Sequence, residues 1–171
     1  MKTNLFLIAN LLLTSAAVRA SDNPADKSMD AKAAFARLKG LVGEWQADTS
    51  RGKARLTYEL IAGGTSLVER ESGENMPAML TVYHMDGARL MLEHYCMAGN
   101  QPRMEARSFD SKTGELRFQF LDATNLAGKE AGHMRNATIR FVDGEHLSAA
   151  WEFYEGGQRK STERAEYTRV R

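Results

Sequence analysis

The sequence predicts an all-β fold, a closed antiparallel barrel of about ten strands preceded by one short helix. Turn pairs recur at short intervals beyond residue 43, and the segments between them are rich in β-branched and aromatic residues, as in strands joined by hairpins. No helical pattern separates these strands, so neighbours in sequence should pair antiparallel. Closure of such a meander removes both exposed edges, although a two-sheet sandwich fits the same pattern. The turn pairs are Gly63-Gly64, Asp86-Gly87, Gly99-Asn100, Asp143-Gly144 and Gly156-Gly157.

The first twenty residues have the layout of a secretory signal peptide. Lys2 supplies the positive start, residues 5–13 form an apolar run broken only by Asn10, and small residues precede Ala20. The apolar run is shorter than the roughly 20 residues that a membrane-spanning helix needs. We therefore expect residues 1–20 to be removed and the mature protein to be periplasmic or secreted, a buried N-terminal helix being the alternative.

The remaining composition excludes several classes of partner. Loss of residues 1–20 removes Lys2 and Arg19 and leaves 151 residues with 21 basic and 22 acidic side chains. A near-neutral chain lacks the basic patch of a nucleic-acid-binding domain and the basic amphipathic helix of a membrane-surface protein. Cys96 is the only cysteine, so no internal disulfide can form, and a lone thiol of this kind is usually buried and inert.

The chain beyond the leader is predicted to form one domain. Residues 21–29 are a polar, flexible lead-in, and residues 30–171 form the barrel domain with its helix. Asp30 can cap the helix and Gly40 can end it, because apolar residues between them recur at helical spacing. The predicted strands are 44–49, 53–62, 65–72, 78–85, 88–96, 103–110, 115–121, 134–142, 146–154 and 159–170.

The Asp86-Gly87 pair favours a two-residue hairpin loop, which would fix the register of two strands. This register opposes Met85 and Ala88, Tyr83 and Leu90, Thr81 and Leu92, and Met79 and His94. Because opposed residues share a face of the sheet, one mainly apolar face carries Tyr83, His94 and Cys96. We expect that face to line the interior of the barrel.

Two further patterns add polar residues to the interior. The Gly63-Gly64 hairpin pairs Leu60 with Leu67 and Tyr58 with Glu69, so Glu69 points inward if the leucines do. The alternation through Ala137, Ile139 and Phe141, extended backwards, brings Arg135 and His133 to the same side. The candidate ligand-binding residues, which include one arginine that could hold an anion at the mouth, are Tyr58, Glu69, Tyr83, His94, Cys96, His133 and Arg103.

The start of the first strand carries a resemblance to a known family. Gly43-Glu44-Trp45, directly after a capped helix, resembles the Gly-x-Trp start of lipocalins and their barrel relatives. The resemblance implies that Trp45 packs at the barrel floor beneath an arginine of the last strand, for which Arg169 is the candidate. An arginine over an indole contributes roughly 0.5–2 kcal/mol.

Longer segments resemble a family of uncharacterised exported bacterial proteins. They are Tyr83 to Gly87, His94 to Cys96, Gly99 to Arg103, Thr124 to Leu126, Gly132 to Met134 and the strand of Trp151. This likeness implies a lipocalin-like, or calycin, barrel and no established activity. A more distant likeness to nitrobindin-type barrels does not extend to their haem-binding C-terminal histidine, since residues 160–171 contain Tyr167 but no histidine. We therefore predict no haem and no other cofactor.

These patterns lead to a hypothesis with two alternatives. The first is an exported, non-enzymatic barrel that binds a small, partly apolar molecule of unknown identity in its interior. The second is an enzyme that uses the same cavity, with His94 as general base assisted by Glu69 or Tyr83. The third is a structural or protein-interaction module whose interior is filled by side chains. Neither a catalytic signature nor a close pair of metal-ligating histidines favours the second, and no metal site is predicted.

Overall fold

The computed structural model describes residues 29–171, which comprise one helix and ten strands. The predicted signal peptide and all of the lead-in except Met29 lie outside the described residues. The helix α1 is Ala31–Lys39 and is followed only by strands and one short 3-10 turn. The strands are β1 (Gly43–Thr49), β2 (Gly52–Ile61), β3 (Ser66–Gly73), β4 (Met76–Asp86), β5 (Arg89–Tyr95), β6 (Gln101–Asp110), β7 (Glu115–Thr124), β8 (His133–Phe141), β9 (His146–Glu155) and β10 (Gln158–Arg169).

The ten strands form one closed antiparallel barrel. Each strand pairs with its neighbours in sequence, and β1 closes the ring by pairing with β10. Every strand therefore has two partners and no edge is left open, which is the advantage of closure over a sandwich. The predicted fold class is confirmed, including the single helix before the barrel.

The helix defines the end of the barrel that we call the floor, where β1 begins and the β4–β5, β6–β7 and β8–β9 turns lie. The Asp30 carboxylate caps α1 by accepting a hydrogen bond of 2.9 Å from the Ala33 amide. The apolar face of α1, which includes Phe35 and Leu38, is buried, and the helix contacts β4, β5 and β6 on the far side of the barrel from β1. The other end, where the β1–β2, β3–β4 and β9–β10 turns lie, is the open end.

Trp45 and Arg169 join the first and last strands of the barrel at the floor. Trp45 is fully buried, and its indole N–H donates to the Leu41 carbonyl at 2.7 Å. The Arg169 guanidinium lies 4.2 Å from the centre of the indole ring. It also donates to the carbonyl oxygens of Gly40, Val42 and Gly144 at 2.8–3.0 Å. One arginine thus links the C-terminal strand, the helix end and the β8–β9 turn.

The register of the β4–β5 hairpin differs from the predicted one. Thr81, rather than Met79, lies opposite His94, and Asp86 pairs with Arg89, so the loop residues are Gly87 and Ala88. Gly87 has a φ of 59° at the first loop position, a conformation that glycine adopts without steric cost. The shift is two residues, so the partners change while the face of each side chain stays as predicted.

The β2–β3 and β8 predictions had different outcomes. Leu60 does pair with Leu67 and Tyr58 with Glu69, although Leu60 is exposed near the floor. In β8, a bulge between Met134 and Asn136 interrupts the alternation on which the inward placement of Arg135 depended. Arg135 is exposed, with its guanidinium 5.4 Å from the Tyr154 ring centre, whereas His133 is buried. The expectation that both share one inner side is wrong for Arg135.

Within residues 29–171, no helix is both long enough and apolar enough to cross a membrane.

Candidate functional site

A cavity of about 350 Å³ lies at the open end of the barrel. This volume is at the lower end of the roughly 300–1,000 Å³ range of ligand pockets. Its wall combines three methionines, a tryptophan and three alanines with polar and charged residues, several of which lie at the rim. The principal lining residues are Met76, Met79, Met134, Trp151, His94, Glu71 and Tyr167, with small side chains at Ala54, Ala149 and Ala165.

His94 is the most deeply buried polar residue of the cavity wall, with 2% of its surface exposed. Its Nδ1 is 2.9 Å from the Thr81 hydroxyl, and its ring lies 4.7 Å from that of Trp151, so its orientation is fixed from two sides. Its Nε2 is buried and has no hydrogen-bond partner within residues 29–171. Burial lowers the pKa of His94 from its ordinary value of 6.5 to about 4, so the imidazole is neutral at pH 7.

A column of carboxyl and phenol groups runs from the cavity into the interior along β3. Glu71 lines the cavity, and Glu69, two residues earlier on the same face, lies deeper and is buried. The Tyr83 hydroxyl donates to Glu69 at 2.7 Å, and the Tyr167 hydroxyl donates to Glu71 at 3.3 Å. Tyr58 is buried directly opposite Glu69. Each carboxyl therefore has a phenol beside it.

Burial dominates the acid–base behaviour of this column. It raises the pKa of Glu69, against the hydrogen bonds from Tyr83 and Tyr58, and it raises the pKa of Glu71 to about 7, with the nearby Glu69 adding to the effect. The pKa values of Tyr58, Tyr83 and Tyr167 are raised for the same reason, so all three phenols stay protonated. The phenols can act only as hydrogen-bond partners at neutral pH, whereas Glu71 can exchange a proton.

The rim of the cavity carries an ion pair. Arg51, in the β1–β2 turn, contacts the Glu163 carboxylate of β10, and both side chains are about 40% exposed. Arg164 also borders the cavity but is exposed and lies on the outward-facing side of the β10 alternation. The two opposite charges of the Arg51–Glu163 pair therefore neutralise each other at the rim, on the side of the entrance where β1 and β10 are neighbours.

Three candidate residues lie away from the cavity wall. Cys96 is buried just beyond β5, and burial raises the pKa of its thiol, so it is an apolar packing residue rather than a thiolate. His133 is buried against Phe120, with ring centres 4.5 Å apart, and its Nδ1 is 2.8 Å from the Ala131 carbonyl. Arg103 is exposed and forms a two-bond pair with Asp122. Its charge is already matched on the outer wall.

The structure brings together only part of the predicted set. His94 is in the cavity wall, and Tyr58, Glu69 and Tyr83 form a network deeper in the barrel than the cavity. The remaining candidates do not line the cavity, namely Cys96, His133 and Arg103. Within residues 29–171, no three His, Cys, Asp or Glu side chains are grouped as metal ligands would be.

Sequence reasoning missed Glu71 and Tyr167, which line the cavity, and Thr81, which contacts His94. Glu71 could have been found, because the alternation that turns Leu67 and Glu69 inward reaches it two residues later. Thr81 was expected on the inner face, but the predicted register set it opposite Leu92 rather than His94. The pairing of Tyr167 with Glu71 joins residues 96 positions apart, which no local pattern predicts.

Comparison with known proteins supports the architecture. No protein-family model matches the chain, and no curated protein matches it either. The barrel is similar to the crystal structure of a protein of unknown function from the DUF3598 family of Nostoc punctiforme, with a TM-score of 0.53 and 13% sequence identity. The match covers 78% of this chain and 49% of the other, so the chain spans about half the length of that protein. At this identity the likeness shows a shared fold alone, and this agrees only coarsely with a calycin-like barrel.

Proposed function

We propose that this protein is an exported, lipocalin-like binding protein that holds a small, partly apolar molecule in the cavity at the open end of its barrel. The observation that carries the proposal is His94, a lining residue of that cavity whose buried Nε2 has no hydrogen-bond partner within residues 29–171. A buried polar atom without a partner costs about 1–3 kcal/mol, and a ligand that bonds to it recovers this cost. The methionines around it suit an apolar part of variable shape.

Side-chain geometry favours binding over catalysis. His94 faces Thr81 and Trp151, while the Glu69 carboxyl is bonded to Tyr83, so the three groups suggested for catalysis are split between two networks. A general base works with a partner that orients it towards a reacting group. Thr81 and Trp151 fix the position of the imidazole, and the Thr81 hydroxyl that bonds to it is only 1% exposed, so it is closed to a substrate.

Neutral N-phenyl-1-naphthylamine, whose fluorescence rises in apolar surroundings, tests the proposal on the purified protein. We expect saturable binding of one molecule per chain. Ala149→Phe, which places a ring in the cavity, should weaken binding at least about tenfold, or about 1.4 kcal/mol. Ala150→Phe is the matched control, since the next residue lies on the other side of the β9 alternation and does not line the cavity.

The outcomes separate interior from surface binding. An absence of saturable binding, or equal loss in the two variants, would contradict the proposal. If Ala149→Phe does not fold, Ala165→Leu on β10 provides a smaller intrusion into the same cavity, with the same expected result.

A further inference from the structure

Among the described residues, the interior side of the cavity carries carboxyl groups but no buried cationic side chain. Within residues 29–171, no lysine or arginine side chain is buried, whereas Glu69 is buried and Glu71 lines the cavity. Arg51 is at the rim and is already paired with Glu163. Arg51 favours ionised Glu71 only weakly, because Glu163 acts in the opposite direction. Glu71 therefore has a phenol beside it but no cation of its own.

His94 supplies a second, independent feature of the same cavity. Its Nε2 is buried without a partner, and its neutral imidazole can hold a proton on Nδ1, towards Thr81, and so accept a hydrogen bond at Nε2. The Glu71 carboxylate and the His94 Nε2 are both hydrogen-bond acceptors. Together they suit a positively charged group with several N–H donors. A protonated amine has this chemistry, with three donors and no acceptor.

On this basis, and resting on the proposed function, we propose that the cavity selects small organic cations, in which an ammonium group contacts Glu71 and His94 and an apolar part lies among the methionines. A buried carboxylate without a counter-charge is costly, and a cation placed beside it offsets that cost. An anionic ligand would face Glu71 and Glu69 with no buried cation to meet it. A neutral ligand could use His94 but would leave Glu71 uncompensated.

This arrangement couples binding to pH. Since the pKa of Glu71 is about 7 without ligand, a proton and an ammonium group compete for its carboxylate, and cation binding should strengthen as pH rises through 7. The groups around Glu71 are Glu69 on β3, Tyr167 and Glu163 on β10, Arg51 in the β1–β2 turn, and Cys96 beyond β5, with neutral His94 in the same wall. Burial also raises the pKa of Glu69, which favours the protonated, neutral form of that carboxyl.

Three probes that share one skeleton test the charge preference, namely 4-phenylbutylamine, 4-phenylbutan-1-ol and 4-phenylbutyrate. Their affinities for the full mature protein are measured by calorimetry and by displacement of N-phenyl-1-naphthylamine. At pH 8 the amine should bind at least about tenfold more tightly than the alcohol, and the carboxylate most weakly. At pH 5.5 the advantage of the amine should shrink to about threefold or less, because Glu71 is then protonated.

Two charge-neutralising variants locate the effect. Glu71→Gln should remove most of the preference for the amine while binding of the alcohol persists. Glu59→Gln makes the same change in net charge at an exposed position on the outer face of β2 and should leave the preference intact. Equal affinities for amine and alcohol in the wild-type protein, or binding of neither, would overturn the cation proposal. The proposed function fails separately, if N-phenyl-1-naphthylamine does not enter the cavity.

Discussion

Two side chains of the cavity wall have protonation preferences of opposite sign. Burial holds the pKa of His94 near 4, below its ordinary 6.5, and that of Glu71 near 7, above its ordinary 4.5. Both groups are therefore neutral in the folded protein over much of the range from pH 4.5 to 6.5. An interior that keeps its titratable groups uncharged avoids the cost of buried charge until a ligand arrives.

These two shifts predict opposite effects on stability. Folded His94 resists protonation, so its contribution is full above pH 6.5 and is lost as pH falls towards 4. Folded Glu71 retains its proton, so its contribution is full below pH 4.5 and is lost as pH rises through about 7. Each change amounts to about 3 kcal/mol of unfolding free energy at most. Within the window from pH 4.5 to 6.5 the two largely cancel in the wild-type protein.

Substitution removes one contribution and exposes the other. Relative to wild type, His94→Phe should gain stability as pH falls from 6.5 to 4, whereas Glu71→Gln should gain stability as pH rises from 4.5 to 7. Urea unfolding at several pH values gives both curves, and the surface carboxylates cancel because all three proteins share them. Parallel curves for the two variants would show that these residues are not buried as described.

At the scale of elements, local patterns predicted the strands and the helix well because each is defined by its own residues. Asp30 caps α1 and burial alternates along β4, as expected, whereas in β5 Met91 is buried together with its neighbours Leu90 and Leu92. Register was harder. Both Asp86-Gly87 and Gly87-Ala88 can form two-residue loops, and the choice between them moved every β4–β5 partner by two positions. The bulge in β8 was equally hard to predict. Its extra residue interrupts the strand pairing but is neither a glycine nor another turn residue that would mark it in the sequence.

The junction of α1, β1 and β10 gives a prediction for the floor. Trp45→Ala removes a fully buried indole together with the ring beneath Arg169, and should lower the free energy of unfolding by about 3–5 kcal/mol. Gln46→Ala, at the exposed neighbouring position of β1, should change it by less than about 0.5 kcal/mol. Chemical denaturation compares the two, and a loss below about 1 kcal/mol for Trp45→Ala would mean that the indole does not help close the floor.

At the scale of the whole molecule, the closed barrel has a sealed end and an end that holds the cavity. The floor is sealed by α1, Trp45 and Arg169, while the opposite end holds the cavity and the Arg51–Glu163 pair. Sequence pattern predicted that the chain would close and that His94 would face inward. It did not predict that Tyr167 from the last strand would meet Glu71 from the third, because that contact exists only once the ring is closed. The polar wall of the cavity is therefore a product of topology.

A crystal structure of the protein saturated with 4-phenylbutylamine at pH 8 tests the central claim most directly. The account predicts one molecule inside the open end, with its ammonium nitrogen within hydrogen-bond distance of the Glu71 carboxylate and of His94 Nε2, and its ring among Met76, Met79 and Met134. An interior closed by side chains, or a molecule bound only on the outer wall, would contradict it.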